Sequence, residues 1–384
     1  MIHSVSENHP SEELVRFHMH GQPPPSDVLI IGGGILGLST ACEILARGLA
    51  VTVFEEDPKH SATWASAGML SPYAEHAEKS ALQDMMRAAR AAYPAYLARI
   101  EEHSGMRIEL AFPGTLIPSL QENRREELEA LTAQFLELGA RCRYLDPAET
   151  AWQEPQLTPR SSGTVLLEDE GYVNPRSLHT ALRAAFDRLG GRWVNLQVLG
   201  LVARQGAVAG VETTAGVILG RAVVNAAGAW ADRFLLPEDQ ARYRVRPVRG
   251  QTVRLRPPNR REGIRHVIQV AGFGYLVPRA DGTVVVGATS EEVGPFAGVT
   301  AGGVHSLLQA VQTLVPVSRS WAFLWAGSGL RPMAGNGELF LEQDSARRGL
   351  FHGLGLYRQG ILLAPVASTR LAGMVLDFLG RMAQ

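Results

Sequence analysis

Three glycines near the start of the sequence have the spacing of a phosphate-binding turn: Gly32, Gly34 and Gly37. Glycine allows the tight turn, lets the backbone approach a pyrophosphate and lets the next helix pack on its strand. The N-terminus of that helix then offers unpaired N–H groups to phosphate oxygens. This pattern predicts the binding of a dinucleotide. A purely structural glycine turn is the alternative.

A carboxylate completes the pattern. Glu55 stands 18 residues after Gly37, at the end of the next predicted strand. A carboxylate in this position accepts hydrogen bonds from ribose hydroxyls and repels a 2′-phosphate. We therefore expect the ribose of a dinucleotide other than NADP beside Glu55.

The residues around these glycines predict one β–α–β unit. Residues 28–31 are a continuous apolar run, as expected for a buried parallel strand. Leu38, Ala41 and Leu45 recur at helical spacing, and Val51–Phe54 is a second apolar strand. The glycine turn thus lies between a strand and a helix, which is the context that a dinucleotide site requires.

Two further segments of small residues fit the same ligand. Residues 65–69 read Ala-Ser-Ala-Gly-Met, and residues 223–230 run from a strand into an Ala-Ala-Gly turn. Small residues let the backbone approach a flat, bulky group. A tight helix–helix contact and an ordinary buried strand end are the respective alternatives. Together with the glycine turn, the two segments predict one extended dinucleotide.

Other elements can be read from periodicity. Helices are expected over about 82–97, where Pro94 kinks or restarts the helix, and over 128–138, 178–189 and 364–379. Residues 275–278 and 283–286 flank an Ala-Asp-Gly loop and predict a hairpin.

Composition limits the class of protein. The 384 residues carry 37 basic and 38 acidic side chains, which argues against nucleic acid or an acidic membrane as the main partner. Two isolated cysteines argue against a disulfide scaffold or a cysteine metal site and favour the cytoplasm. No apolar run predicts a membrane span. Residues 1–26 are expected to be a disordered leader rather than a signal peptide.

Several segments along the chain resemble one enzyme family. The sequence is similar to the FAD-dependent D-amino-acid oxidase superfamily, and within it to the glycine oxidases of bacterial thiamine biosynthesis. The segments that carry the resemblance occur in the family's order; they are residues 30–37, 67–70, 171–175, 247–251, 275–279, 330–332 and 357–365.

The resemblance implies a non-covalent FAD, since neither Cys42 nor Cys142 lies near the segment that would wrap the flavin. It implies that Val198 lies at the adenine side and that Gly228 also contacts the cofactor. The other residues that would line FAD are Ile35, Leu36, Glu55, Glu56, Ala62, Thr63, Ala67, Gly68 and Met69. Those that would wrap the isoalloxazine are Leu356, Tyr357, Arg358, Gln359, Gly360, Ile361 and Leu362.

The resemblance also implies a substrate site. Arg331 would bind the carboxylate of a small amino acid, with Arg358 and Tyr275 beside it, and Met69 would close the pocket or fill the core. Arginine suits this task because its planar fork can hold a carboxylate through two hydrogen bonds. The implied reaction oxidises the amine to an imine, with O₂ reduced to H₂O₂.

The sequence departs from the family at several positions. Residues 325–332 are two residues longer than the usual run, and Leu356 and Gln359 stand where histidine and asparagine are typical. Phe273 stands where another pocket histidine can occur. These changes put glycine as the preferred substrate in doubt. A dehydrogenase that uses a quinone or a carrier protein, and a flavin-binding subunit without turnover, stay open.

The expected fold is an α/β protein with two domains. A Rossmann-like FAD-binding domain of the glutathione-reductase type would comprise residues 27–105, 160–243 and 327–384. A substrate domain built on an antiparallel sheet would comprise residues 106–159 and 244–326. The active site would lie between them, and the resemblance implies a homotetramer.

Overall fold

The computed structural model describes residues 26–56, 61–121 and 123–382. The leader predicted at residues 1–26 lies outside the described residues except for Ser26. Ser26 begins the first strand, one residue before the predicted start at Asp27, and it pairs with Gly220.

The strands in the described residues fall into three sheets. In chain order they are β1 Ser26–Ile31, β2 Val51–Phe54, β3 Met69–Leu70, β4 Leu110–Ala111, β5 Thr115–Pro118, β6 Cys142–Leu145, β7 Thr164–Leu167, β8 Gly171–Val173, β9 Arg192–Val194, β10 Val198–Arg204, β11 Ala207–Thr213, β12 Gly216–Asn225, β13 Arg246–Arg256, β14 Val267–Val270, β15 Gly274–Pro278, β16 Val284–Gly287, β17 Ala322–Met333, β18 Phe340–Gln343 and β19 Leu350–Leu354.

The helices pack on these sheets and between them. In chain order they are α1 Ile35–Leu45, α2 Ala62–Ala65, α3 Ala81–Ser104, α4 Arg125–Glu137, α5 Pro147–Gln153, α6 Pro175–Arg188, α7 Pro237–Tyr243, α8 Ala301–Leu314 and α9 Gly360–Met382.

The first sheet carries the glycine turn at its centre. Its strand order is β10-β11-β12-β1-β2-β9, with β19 paired to β12 and β18 to β19. β1 pairs in parallel with both β2 and β12. Because the carboxyl ends of parallel strands meet at one edge, the glycine turn, Glu55 and the small residues after β12 come together there.

One face of this sheet is covered by α1, α6 and α9, and α3 packs on α6 and α9. Val28 and Ile30 of β1 lie in the same apolar cluster as Leu38 of α1 and Leu371 of α9. Burial of one such side chain contributes about 1.5–3 kcal/mol. The continuous apolar run at residues 28–31 is thus explained by a strand that is buried on both faces, as the sequence predicted.

The second sheet is largely antiparallel and has the order β17-β13-β16-β15-β14-β5-β7-β6. The predicted hairpin is confirmed: β15 and β16 pair antiparallel, and Gly282 between them has φ +78°. α8 packs on one face through Leu307 and Val311. The third sheet, β3-β8-β4, is short and carries Met69 opposite Tyr172.

Pro94 does not restart a helix, contrary to one of the two expectations. α3 runs without a break from Ala81 to Ser104, with a Ser80 cap at its start and a left-handed Gly105 after its end. Proline removes one backbone hydrogen bond from a helix interior. The buried row that includes Met86, Tyr93 and Leu97 holds the helix against the core and offsets this loss.

α9 begins at Gly360, four residues earlier than predicted, and is the one described helix long and apolar enough to cross a membrane by length and composition. The sequence predicted no span. In its most apolar 18-residue window, 61% of the helix is buried inside the protein, where it packs on α1 and α3. Burial in the core accounts for its composition.

Sheet membership bears on the predicted domain boundaries at 160 and 327. β7 pairs with β5 and β6 in the second sheet, and β17 runs from 322 to 333 in that sheet. We propose that the FAD-binding domain is discontinuous in the predicted way, with these two boundaries moved to about 168 and 334, the ends of β7 and β17.

Candidate active site

One large cavity, of about 1430 Å³, is lined by residues of both large sheets. Its first half lies at the carboxyl edge of β1, β2 and β12, beside Gly32, Glu55 and Ala226. Its second half lies beside β15 and β17 and contains Tyr275 and Arg331. The cavity is therefore long enough to bring a ligand at the glycine turn next to the predicted substrate residues.

Two of the three motif glycines are required by close backbone contacts. A Cβ on Gly32, whose φ is +105°, would lie 2.3 Å from the carbonyl oxygen of Ala226. A Cβ on Gly37 would lie 1.9 Å from the carbonyl oxygen of Gly32. Gly37 does not line the cavity; it lets α1 pack against the turn.

The N-terminus of α1 borders the cavity through Ile35 and Leu36. Gly34 occupies the cap position and supplies no side-chain hydrogen bond. Thr63, which lies across the cavity wall, accepts a hydrogen bond from the N–H of Ile35 at 3.0 Å. The first turn of a helix has four N–H groups without an intrahelical partner, so this end suits an anion.

The carboxylate after β2 fixes the turn. Glu55 Oε2 accepts a hydrogen bond from the N–H of Gly33 at 2.9 Å. Next to it, Glu56 Oε2 accepts from Gln197 Nε2 at 3.2 Å, and Val198 lines the same part of the cavity. Glu55 thus orients the glycine turn as well as standing where the sequence predicted a ribose partner.

The small-residue segment at 65–69 is held by a buried cation. Arg279 is 5% exposed and donates hydrogen bonds to the carbonyl oxygens of Ala67 and Val173. Burial lowers the pKa of Arg279 to about 10. Ala67, Gly68 and Met69 line the cavity, so Arg279 supports its wall from behind.

The second half of the cavity contains two guanidinium groups. Arg331 donates through Nη1 to the carbonyl oxygen of Thr289 at 2.9 Å. Arg358 is exposed to the cavity and lies 5.3 Å from the centre of the Tyr357 ring. Among the described residues, no carboxylate oxygen lies within 4.0 Å of either guanidinium. Both cations are therefore available to an acidic ligand.

Two tyrosines border these arginines. Burial raises the pKa of Tyr275, and the positive charge of Arg331 opposes the effect. Burial also acts to raise the pKa of Tyr357, but the Ser290 hydrogen bond and the charge of Arg358 outweigh it, and that pKa is lowered. Tyr275 is thus a neutral hydrogen-bond donor at ordinary pH.

The sequence analysis missed Glu75, which lines the cavity in the segment between β3 and α3. Gln269 Nε2 donates to Glu75 Oε1 at 3.2 Å. Burial raises the pKa of Glu75, and the positive charges of Arg358 and Arg331 oppose the rise. No motif marked this residue; its nearness to Met69 in sequence was the only signal.

The predicted site residues collect in this cavity with two exceptions, Gly37 and Leu362. Leu362 was expected to wrap a flavin, but it is 2% exposed and packs in the apolar core. Leu362 lies in the first turn of α9, which begins at Gly360, and it belongs to the buried face of that helix. Met69 lines the cavity and also packs against Tyr172.

Cysteine and metal chemistry do not contribute to this cavity in the described part of the chain. Cys42 packs in α1 near the carbonyl oxygen of Leu182, and Cys142 lies in β6. Neither lines the cavity. The described residues hold no cluster of His, Cys, Asp and Glu suited to a metal ion.

Comparison with known proteins identifies the family. Residues 27–374 match the family described as FAD dependent oxidoreductase. The chain belongs to this family. The bifunctional protein ThiO/ThiG of Nostoc sp. is 33% identical over 91% of this chain, and glycine oxidase of Geobacillus kaustophilus is 30% identical over 91%. The chain spans 92% of that glycine oxidase but only 53% of the bifunctional relative.

Solved structures agree with this assignment. The crystal structure of glycine oxidase from Geobacillus kaustophilus superposes with a TM-score of 0.86, covering 92% of this chain and 95% of that one. Iminodiacetate oxidase from Chelativorans sp. BNC1 superposes at 0.82, with 25% identity, over 91% of this chain and 95% of that one. The predicted α/β fold of an FAD-dependent oxidoreductase is confirmed.

FAD is the cofactor of this family, and the cavity has the features that FAD requires. The glycine turn and the N-terminus of α1, whose cap residue Gly34 has no side chain, provide a place for a pyrophosphate. Glu55 at the end of β2 suits a ribose. The wall of small residues at 65–68 leaves room for a flat ring system.

The hydrogen bond between Thr63 and Ile35 gives a test of the phosphate end. Thr63→Val keeps the shape of the side chain and removes the acceptor, which costs about 1 kcal/mol and weakens FAD binding about 5-fold. FAD affinity is measured by titrating the apoprotein and following flavin fluorescence. Thr40→Val is the matched control, because the buried Thr40 hydroxyl has no partner among the described residues. Equal FAD affinity in Thr63→Val and wild type would contradict this role.

Proposed function

We propose that this protein oxidises the amine of a small amino acid to an imine. The observation that carries the proposal is the pair of guanidiniums, Arg331 and Arg358, in the FAD-type cavity without a carboxylate partner within 4.0 Å in the described residues. Bound FAD would accept a hydride from the substrate Cα and would pass electrons to O₂, which gives H₂O₂.

The chain's own part in this reaction is to bind and orient the substrate. Arg331 holds the carboxylate through its fork, while its bond to Thr289 fixes the guanidinium plane. Arg358 adds a second positive charge, and the Tyr275 hydroxyl donates to the same group. A substrate fixed in this way presents its Cα–H in one direction, which is the main requirement for hydride transfer.

The cofactor residues follow from the same arrangement. We propose that Gly32, Gly34, Ile35, Leu36 and Thr63 hold the pyrophosphate. Glu55, Glu56 and Val198 hold the adenosine. Residues 67–69, Gly228 and residues 356–361 surround the flavin and exclude water from it. Water exclusion strengthens the electrostatic contacts in the site.

We also propose the fate of the imine product, the cellular location of the protein and its assembly. Released imine hydrolyses to an oxo acid and ammonia, or enters thiamine biosynthesis, to which the name ThiO of the relatives points. We propose a cytoplasmic homotetramer, and light scattering of the purified protein tests the assembly.

The proposed reaction is tested by an anaerobic titration of the purified protein with glycine, sarcosine, D-alanine and D-proline. We expect loss of visible flavin absorption with at least one of them, rapid return in air and one H₂O₂ per turnover. Bleaching that returns slowly in air indicates a dehydrogenase with another acceptor. A yellow protein that no amine bleaches contradicts the enzymatic proposal.

A further inference from the structure

Glu75 faces the substrate half of the cavity, beside the two arginines that hold the carboxylate in the proposed reaction. It is half-buried and lines the cavity together with Arg331 and Tyr275. Its carboxylate accepts a hydrogen bond from Gln269 Nε2 at 3.2 Å. No described cation lies within 4.0 Å of it, so its charge is not consumed by an ion pair.

The backbone around Glu75 is held from two sides. The buried Glu170 accepts hydrogen bonds from the N–H groups of Tyr73 at 2.8 Å and Ala74 at 3.0 Å. Gln269 donates to the carbonyl oxygen of Ala74 at 3.1 Å. The backbone just before Glu75 is therefore held in place, and Gln269 also binds the Glu75 carboxylate.

The charged side chains in the substrate half of the cavity match a substrate with one acidic group. Arg331 and Arg358 supply two positive charges, and Glu75 supplies one negative charge when it is ionised. One substrate carboxylate neutralises the remainder. A second acidic group meets the negative charge of Glu75 in a part-buried site, where like charges repel more strongly than in water.

Beyond Glu75 the cavity continues along an apolar wall. Ala77, Ile117, Leu131 and Phe135 line this part. Ile117 lies on β5, the strand that pairs with β14, and Gln269 of β14 binds Glu75. An uncharged substituent of the substrate can therefore pass Glu75 and lie against these side chains.

We propose that Glu75 determines specificity by excluding substrates that carry a second acidic group. The substrates are then amines with one carboxylate and an uncharged substituent on the amine or on Cα. This inference rests on the proposed function, because it takes Arg331 and Arg358 as the carboxylate-binding pair.

The first experiment measures binding without turnover. 3-Methylbutanoate and malonate have nearly the same shape, carry one and two carboxylates, and contain no amine. Their dissociation constants are measured by calorimetry on the FAD-loaded protein. We expect wild type to prefer 3-methylbutanoate about 100-fold, and Glu75→Gln to reduce this preference at least about 10-fold by binding malonate more tightly.

A second experiment applies the same comparison to oxidation. N-isobutylglycine and iminodiacetate differ in the same way, and kcat/KM is measured for both from anaerobic flavin reduction and H₂O₂ formation. The ratio of the two values should fall about 10-fold or more in Glu75→Gln. Glu78→Gln, an exposed carboxylate three residues away, is the control and should leave both ratios unchanged. If Glu75→Gln does not fold, Glu75→Ala takes its place, and its flavin content is measured.

The outcomes separate the two proposals. Equal selectivity of wild type and Glu75→Gln in the binding experiment overturns the role of Glu75, whether or not the protein oxidises amines. If wild type binds neither 3-methylbutanoate nor malonate, the role of Glu75 is overturned too. The expected change in binding without oxidation of any amine supports the role of Glu75 and contradicts the proposed reaction.

Discussion

Replacement of Arg331 by methionine is expected to lower kcat/KM for small amino acids on the order of 1,000-fold while FAD stays bound. Arg331 is half-buried, and its guanidinium is oriented by the bond to Thr289. Removal of a charged partner from a desolvated pair costs roughly 3–5 kcal/mol, because the substrate carboxylate is left without its counter-charge.

Further variants separate charge from geometry. Arg331→Lys keeps the charge but loses the bidentate fork, so its loss should be about 10- to 100-fold. Arg358→Met should lose less than Arg331→Met, because Arg358 is exposed and water screens its charge. Activity is measured as H₂O₂ formation and as anaerobic flavin reduction, with flavin content determined for every variant.

The matched control is Arg319→Met, which removes an exposed arginine outside the cavity. Wild type should prefer glycine strongly over methylamine, and Arg331→Met should lose this preference because only glycine carries a carboxylate. A kcat/KM within tenfold of wild type, with the preference for glycine kept, would show that Arg331 does not bind substrate.

The parts of the fold that the sequence predicted are those set by local patterns. The strand at 28–31, the glycine turn and the β15–β16 hairpin each follow from residues that are close in the chain. The order of the second sheet does not, because β14 pairs in parallel with β5 across about 150 residues of sequence. Such pairings depend on the packing of whole elements, which no local period encodes.

The same division applies to the site. The glycines and Glu55 belong to a motif whose spacing is visible in the sequence. Glu170 acts on Tyr73 across 97 residues, and Arg279 acts on Ala67 across 212. The importance of these residues comes from burial and from partners that the fold brings to them. Glu75 was missed for the same reason, since an acid between a strand and a helix is usually a solvated side chain.

Glu170 leads to a prediction about stability and pH. It is 1% exposed, and its Oε1 accepts the N–H groups of Tyr73 and Ala74. Burial raises the pKa of Glu170 from 4.5 to about 7, although these hydrogen bonds act to lower it. Its second oxygen has no hydrogen-bond partner among the described residues, which fits a carboxyl that carries a proton.

The sign of the effect follows from the two protonation states. Between about pH 4.5 and 7, the folded protein binds a proton at Glu170 that the unfolded chain has lost. The stability that this group contributes is fully present below pH 4.5 and is lost as the pH rises through 7. At slightly alkaline pH, the free energy of unfolding is lower by roughly 3 kcal/mol because of this group.

Glu170→Gln should remove this pH dependence. Glutamine keeps an oxygen for the two N–H groups and stays neutral at every pH, so the variant should exceed wild type in stability at pH 8 and match it near pH 5. The thermal midpoint of the FAD-loaded protein is measured from pH 5 to 8. Other titrating groups, such as the buried His179 and His352, are present in both proteins and cancel in the difference.

Glu168→Gln provides the control for this comparison. Glu168 lies two residues before Glu170 and pairs with the exposed Arg141 at 3.2 Å, where an ion pair contributes at most about 1 kcal/mol. The Glu168→Gln variant should show the same pH dependence of the thermal midpoint as wild type. If wild type and Glu170→Gln lose stability equally between pH 5 and 8, Glu170 is charged throughout that range.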